Sequence, residues 1–248
     1  MRGLIAAALV WLIPGMAGAV TCADVTFDGA GFTLCEVDLT REDLRLFLRD
    51  DAGEILGQFG AVDSSLGPGE RLGFAINGGM YHEDRAPVGL YIEDGVQERG
   101  IVTSAGPGNF GLLPNGVFCI QAGRAQVIES RAYAADPPAC RHATQSGPML
   151  VIDGALHPRF LADSTSLNIR NGVGVDATGT RAYFAISNDM VNFHQFGRFF
   201  RDYLGVANAL YLDGRVSRLY APDYGRNDFG FWLGPILGTV IDAGGGGG

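Results

Sequence analysis

Basic residues are scarce in this chain of 248 residues and nowhere clustered: 18 Lys and Arg stand against 27 Asp and Glu, a formal net charge of -9. A nucleic-acid partner needs a basic stripe or patch to neutralise phosphates, so that class of partner is set aside. Cysteine is also sparse. There are four, with no Cys-x-x-Cys pair, and His82, His142, His157 and His194 share no ligand spacing, so a zinc centre has no signature here. The Gly-x-Ser-x-Gly elbow of serine hydrolases is missing, because Ser146 lies in Ser-Gly-Pro. Long apolar runs are missing beyond the first residues. The stretch 229–241 is broken by Gly230, Gly234, Pro235 and Gly238, and no stable membrane insertion is expected.

What is present begins with Arg2, an apolar run from Leu4 to Ile13, a break at Pro14 and Gly15, and the small residues Ala17, Gly18 and Ala19. That order predicts a secretory leader over 1–19, too short to span a bilayer of ~30 Å, with Val20 at the mature N-terminus. The expected location is secreted or periplasmic. Export suits the cysteines, which permit two disulfides; proximity in sequence favours Cys22 with Cys35 and Cys119 with Cys140. Residues 20–243 read as one domain with no repeat or linker, and the glycines at 244–248 as a tail.

Glycine is abundant, with 38 residues and no period, which fits many short strands and tight turns. Strands are expected over Cys22–Leu39 as a hairpin turning at Asp28–Gly31, then at Leu72–Ile76, Val88–Ile92, Asn109–Leu113, Gly116–Ile120, Ala125–Ile128, Met149–Ile152, Val173–Asp176, Arg181–Ser187 and Ala209–Leu212. Leu44–Leu48 reads as a strand or, with Thr40–Asp43 as a cap, the start of a helix. One segment has a strong helical period, Val191–Leu204, with Phe193, Phe196, Phe199, Phe200 and Tyr203 on one face, capped by Asn188 or Asp189 and stopped at Gly205. The expected class is α+β, dominated by a mostly antiparallel sheet, with a long helix near 190–204 in a crossover between two strands.

Four stretches share a design in which an apolar strand runs into small, polar or glycine residues: AINGGMY at Ala75–Tyr81, QSGPMLVIDG at Gln145–Gly154, RNGVGVD at Arg170–Asp176 and YLDG at Tyr211–Gly214. Each alone is an ordinary turn signal. Together, over most of the chain from Cys22 to about Tyr220, they resemble the phosphodiester glycosidase family, in an exported bacterial branch. That resemblance implies a hydrolase cleaving a sugar phosphodiester or related envelope glycan at the anomeric bond, with a carbohydrate or sugar-phosphate substrate. One departure stands out: Arg215, Val216 and Ser217 follow the Asp-Gly where the family continues with glycine and serine.

Such a reaction needs a carboxylate beside an oxocarbenium-like centre and a cation for the departing phosphate, a role that suits the fork of arginine. Asp213 and Arg170 are the expected catalytic pair. Asn77, Gly78, Gly79, Arg85, Gln145, Ser146, Gly147 and Gly214 are expected to bind substrate through amide, hydroxyl and cationic groups. No cofactor is expected; a calcium ion held by Asp213, Glu83, Asp84 and Asp189 is the one candidate metal. The competing reading is a non-catalytic glycan-binding envelope protein on the same fold.

Overall fold

A tight turn opens the fold. Asp28 and Gly29 both take positive φ, 48° and 76°, the two-residue geometry whose twist matches the strands it joins. Thr21–Phe27 therefore pairs antiparallel with Ala30–Asp38, which puts Cys22 opposite Cys35. Those two cysteines are bonded, as are Cys119 and Cys140, a usage typical of extracytoplasmic proteins. The computed structural model describes residues 20–245, so the expected leader at 1–19 and the tail residues 246–248 lie outside the described residues. No described helix is long and apolar enough to cross a membrane.

Three antiparallel sheets follow. The largest orders its seven strands Thr21–Phe27, Ala30–Asp38, Arg181–Ser187, Asn171–Val175, Ala209–Asp213, Met149–Ile152, Ala155–Leu156. A second has Arg226–Asn227, Leu219–Ala221, Glu70–Asn77, Ile236–Asp242, Asp43–Phe47, and a third Val96–Arg99, Tyr91–Glu93, His142–Ser146, Gly116–Gln121, Arg124–Glu129. All three send side chains into one core, represented by Phe184, Leu210 and Leu212 from the first, Phe74 and Leu237 from the second, and Phe118 from the third. The strands of the three sheets run from Thr21 to Asp242.

Strands dominate, as expected, but the long helix does not form. The α-helix is Phe193–Arg198, continued by a π-helical turn over Phe199–Tyr203 that closes with Leu204 N–H on the Phe199 carbonyl at 3.1 Å. It starts late because Val191 is tied to Asn168 by two backbone hydrogen bonds, which hold it extended. Asn192 is the cap in place of Asn188 or Asp189, its Oδ1 accepting from Gln195 N–H at 2.9 Å. Most of the aromatic face packs as its period requires: Phe196, Phe199 and Phe200 are fully buried and Phe199 stacks on Phe32 at 4.3 Å, while Phe193 is partly buried and Tyr203 stays exposed. Gly205, at φ 67°, ends the segment. The crossover does form. Arg181–Ser187 and Ala209–Asp213 are each antiparallel to Asn171–Val175 between them, hence parallel to each other.

Other expectations shift locally. Asp43–Phe47 is a strand and not a capped helix, Asn109–Leu113 is turn, and Val88–Ile92 contributes only Tyr91 and Ile92 to a strand. Two short helices, Phe59–Ser65 and Ser130–Ala135, have too few turns to show a period.

The turn after Asp38 buries Glu42, whose Oε2 has no hydrogen-bond partner among the described residues. Burial, then the charge of Asp38, pushes its carboxyl up to about 7. The folded state therefore holds a proton that the unfolded chain releases near pH ~4.3, so stability is full below that pH and falls as pH rises towards 7. Glu42→Gln should match the native chain in urea unfolding at pH 4 and exceed it by about 1–2 kcal/mol at pH 8, after allowance for solvent screening. Equal stability at pH 8 would refute the assignment.

Candidate active site

Strand Ala209–Asp213 is buried on both faces. Leu210 and Leu212 enter the shared core, while Ala209 and Tyr211 pack against the aromatic helix. Such a strand reads as an unbroken apolar run, and this one ends in a carboxylate. Asn171, the first residue of Asn171–Val175, lies directly across from it. Asn77 ends Glu70–Asn77 and Ser146 ends His142–Ser146, so four strand ends from three sheets meet there.

Hydrogen bonds close a ring among them. Asp213 N–H donates to Asn171 Oδ1 at 2.9 Å, Asn171 Nδ2 donates to Asn77 Oδ1 at 2.8 Å, and Asn77 Nδ2 donates to Asp213 Oδ2 at 3.3 Å. Asn77 is saturated further by Val216 O at 2.6 Å and Arg218 N–H at 2.7 Å. Ser146 Oγ donates to Leu212 O at 3.1 Å, fixing the strand behind the carboxylate. Asp213 Oδ1 accepts from Gly214 N–H at 2.6 Å and Arg215 N–H at 2.8 Å. Burial raises the Asp213 carboxyl above its ordinary range, against the pull of those backbone donors and of Asn77. Gly214 is required by close approach, since a Cβ there would overlap the Tyr211 hydroxyl.

Asp213 opens on a cavity of about 570 Å³ whose walls include Tyr81, Arg85, Tyr211, Arg215 and Glu83. Burial, then the Asp213 charge, pushes the Tyr81 hydroxyl up to about 12. Tyr211 is also raised, first by burial. Both phenols are therefore hydrogen-bond donors at neutral pH. The chain has no lysine, so an anion must be met by arginine, histidine or amides. Among the described residues neither Arg85 nor Arg215 forms an ion pair with a carboxylate. Arg85 holds φ 71° in the turn after Tyr81 and lies over that ring at 5.3 Å.

The expected site residues divide. Asp213, Gly214 and Arg85 line the cavity, with Asn77 directly behind the carboxylate. Arg170 does not line it. Its guanidinium is buried, with Nε on Val191 O and Nη2 on Ser166 O, both at 2.9 Å, stacked 3.7 Å from the Phe193 ring centre and 5.5 Å from that of Tyr211. Burial lowers its pKa, opposed by the Tyr211 hydroxyl. The amides expected to face substrate are engaged inside the protein: Gly78 N–H donates to Pro235 O at 2.7 Å and Gly79 N–H to Thr144 Oγ1 at 3.0 Å. A Cβ on Gly79 would overlap the Gln145 carbonyl oxygen, so contact between loops demands the glycine. Gln145 spends its side chain on Leu90, Val102 and Ser130, and Gly147 packs on Asn115.

The four candidate calcium ligands are not gathered. Asp189 accepts from Gly31 N–H at 2.8 Å on the first hairpin, Asp84 caps Ala86 N–H at 3.0 Å, and no three His, Cys, Asp or Glu among the described residues are grouped to hold a metal.

Asn171, Tyr81 and Tyr211 are the residues that sequence reasoning passed over. Asn171 adjoins Arg170 at a strand start, and successive residues there face opposite ways, so one step of register separates the residue at the site from the one behind it. Alternation within Val173 and Val175, both in the core, was the available signal.

Residues 70–229 match the phosphodiester glycosidase family. The uncharacterized protein YigE of Escherichia coli (strain K12) is 35% identical over 179 residues, 72% of this chain and 70% of that protein. Among solved structures, the catalytic domain of zebrafish N-acetylglucosamine-1-phosphodiester alpha-N-acetylglucosaminidase, auto-inhibited by its pro-peptide, superposes with a TM-score of 0.60 at 15% identity. That match covers 89% of this chain and 81% of the other. A Burkholderia pseudomallei K96243 protein described as exported matches at 0.52 and 12% identity, over 85% of this chain and 74% of that one.

Proposed function

The chain belongs to the phosphodiester glycosidase family, and from that premise we propose that it is an exported hydrolase cleaving a sugar phosphodiester at the anomeric carbon. The observation that carries the proposal is the half-buried Asp213, its carboxylate held by Asn77 and its backbone N–H by Asn171, in one cavity with two arginines that have no carboxylate partner among the described residues. Water adds its oxygen to the anomeric carbon and passes a proton to Asp213. The carbon–oxygen bond to phosphate breaks with its electron pair on the phosphate. A phosphate leaves without a proton, so cations serve it better than a general acid, and Arg85 and Arg215 supply them. A base with a raised pKa suits the proton transfer.

Tyr81 and Tyr211 donate hydrogen bonds to the sugar. Arg170 acts through Tyr211, whose ring it backs, while Gly78, Gly79, Gln145, Ser146 and Gly147 keep the strand ends in contact. The family implies a carbohydrate-type substrate, and that membership favours hydrolysis over the glycan-binding reading.

The test compares an N-acetylglucosamine phosphodiester with the matching alkyl glycoside, using the chain from Val20 onward. Sugar should be released from the phosphodiester alone, and Arg215→Ala should raise KM about tenfold or more by removing one charged contact to phosphate. Equal cleavage of both compounds would refute phosphate as the recognised leaving group. Release from neither would remove this substrate.

A further inference from the structure

Beside the cavity, residues 229–232 present Phe229, Phe231 and Trp232 to solvent at 85%, 76% and 53% exposure. Single exposed apolar side chains are ordinary, but three aromatic rings within four residues form a patch. The backbone of the patch is pinned. The buried Arg218 guanidinium donates to Phe231 O at 2.9 Å, to Asp228 O at 2.8 and 3.1 Å and to Gln58 Oε1 at 2.9 Å. Gln58 Nε2 in turn donates to Gly230 O at 3.3 Å, and Leu233 N–H to Gly57 O at 2.9 Å. The adjoining Asp228 carboxylate is occupied by Arg226 and by Leu219 N–H. Rings held outward on a rigid, charge-free loop are placed to enter something apolar.

Area and charge select the occupant. Three rings of about 150–250 Å² each, counted at their exposed fractions, offer at most about 550 Å², short of the ~800 Å² per partner of a standard protein interface. A second copy is therefore a poor fit. Phe231 also lines the cavity that holds Arg85 and Arg215, so one ring of the patch shares a cavity with two cations that have no carboxylate partner among the described residues. That is the complement of an amphiphile, an anionic phosphodiester joined to a hydrocarbon tail. A sugar platform needs free, flat ring faces. Trp232 instead lays one side of its ring on Gly57, where a Cβ would stand 2.6 Å from ring atom Cε3, and its two companions lack any polar handle.

We propose that residues 229–232 are a wedge that inserts among acyl chains, and that the preferred substrate is a glycosyl phosphodiester carried by a lipid, its phosphate in the cavity and its tail along the wedge. The substrate half of this proposal rests on the hydrolase reading above; the docking half does not. With a net charge of -9 the protein gains no pull towards anionic lipid, so insertion is expected on neutral bilayers.

Trp232 and Trp11 are the two tryptophans of the sequence, so the chain from Val20 onward reports on the wedge alone. Mixed with phosphatidylcholine vesicles, it should float with them, and Trp232 emission should shift to the blue. Phe229→Ser, at a fully exposed position outside the cavity, should lower the partition coefficient about tenfold, leave turnover of a soluble sugar phosphodiester unchanged, and abolish the preference for a vesicle-borne diester. Failure of the native chain to float, with no spectral shift, would overturn the docking proposal whatever the hydrolysis result. A Trp232 response to soluble oligosaccharides but not to vesicles would replace it with a glycan platform. Flotation without hydrolysis of any diester would support the wedge and defeat the hydrolase reading.

Discussion

Asp213→Asn should lower turnover of a glycosyl phosphodiester by roughly a thousandfold while leaving the thermal midpoint at pH 7–8 unchanged or higher. The two halves come from one fact. Burial raises the Asp213 carboxyl, so the ionised form is held at a cost to the fold, and a neutral amide of the same shape removes that cost. The Asn side chain keeps an acceptor for Gly214 N–H and Arg215 N–H and gives up the longer contact from Asn77. It cannot take a proton from water. Sign matters for the pH profile as well: native activity should rise as pH climbs through the raised pKa, placing its acidic limb above the ~3.9 of a free aspartate. The stability gain of the variant should vanish at low pH, where Asp213 is neutral in the native chain too. A variant with native turnover and an intact fold would remove Asp213 from the chemistry.

Asn77→Asp is the second large effect, and it acts on both stability and rate. Asn77 Oδ1 accepts from Asn171 Nδ2 and Arg218 N–H, while its Nδ2 donates to Asp213 Oδ2 and Val216 O. An ionised carboxylate would keep the first two bonds and turn an oxygen towards two acceptors. The variant can restore the ring only by holding a proton, so its new group should have a raised pKa. Its stability should therefore be near native at low pH and fall by about 2–4 kcal/mol as pH rises past that pKa. Two carboxylates sharing a proton should also move the acidic limb of activity upward, with turnover at pH 7 reduced about a hundredfold. Urea unfolding at pH 5 and pH 8, beside a pH–rate profile, checks both. Equal destabilisation at the two pH values would mean that the ring is not proton-linked.

Local punctuation made the rim legible in the sequence. An apolar run stopping at Asp-Gly or Asn-Gly places its polar residue at a strand end, where Asn77 and Asp213 both lie; their contact at 3.3 Å comes from the packing of two sheets and has no local trace. The aromatic stripe at 193–203 likewise announced its buried face. What failed to show depends on pairing between distant residues. The helix begins after Asn192 because Val191 is bonded to Asn168, a tie with no local trace. Arg170 lies behind the cavity and Asn171 at it because of strand register, which only the neighbouring strands decide. The glycines at 78, 79 and 147 announced close approach, yet what approaches is the protein's own backbone and side chains, not open cavity. Phe231 joins the cavity through a loop that Arg218 anchors from ten or more positions away.

The second sheet also dictates when the site can exist during biosynthesis. Glu70–Asn77 is flanked by Leu219–Ala221 on one side and Ile236–Asp242 on the other, both translated long after it. A nascent chain that has already emerged through Asp213 still has a bare strand where Asn77 must be held, so Asp213 lacks the donor that Asn77 provides. The site can therefore close only after Ile236–Asp242, the last strand of that sheet, has been made.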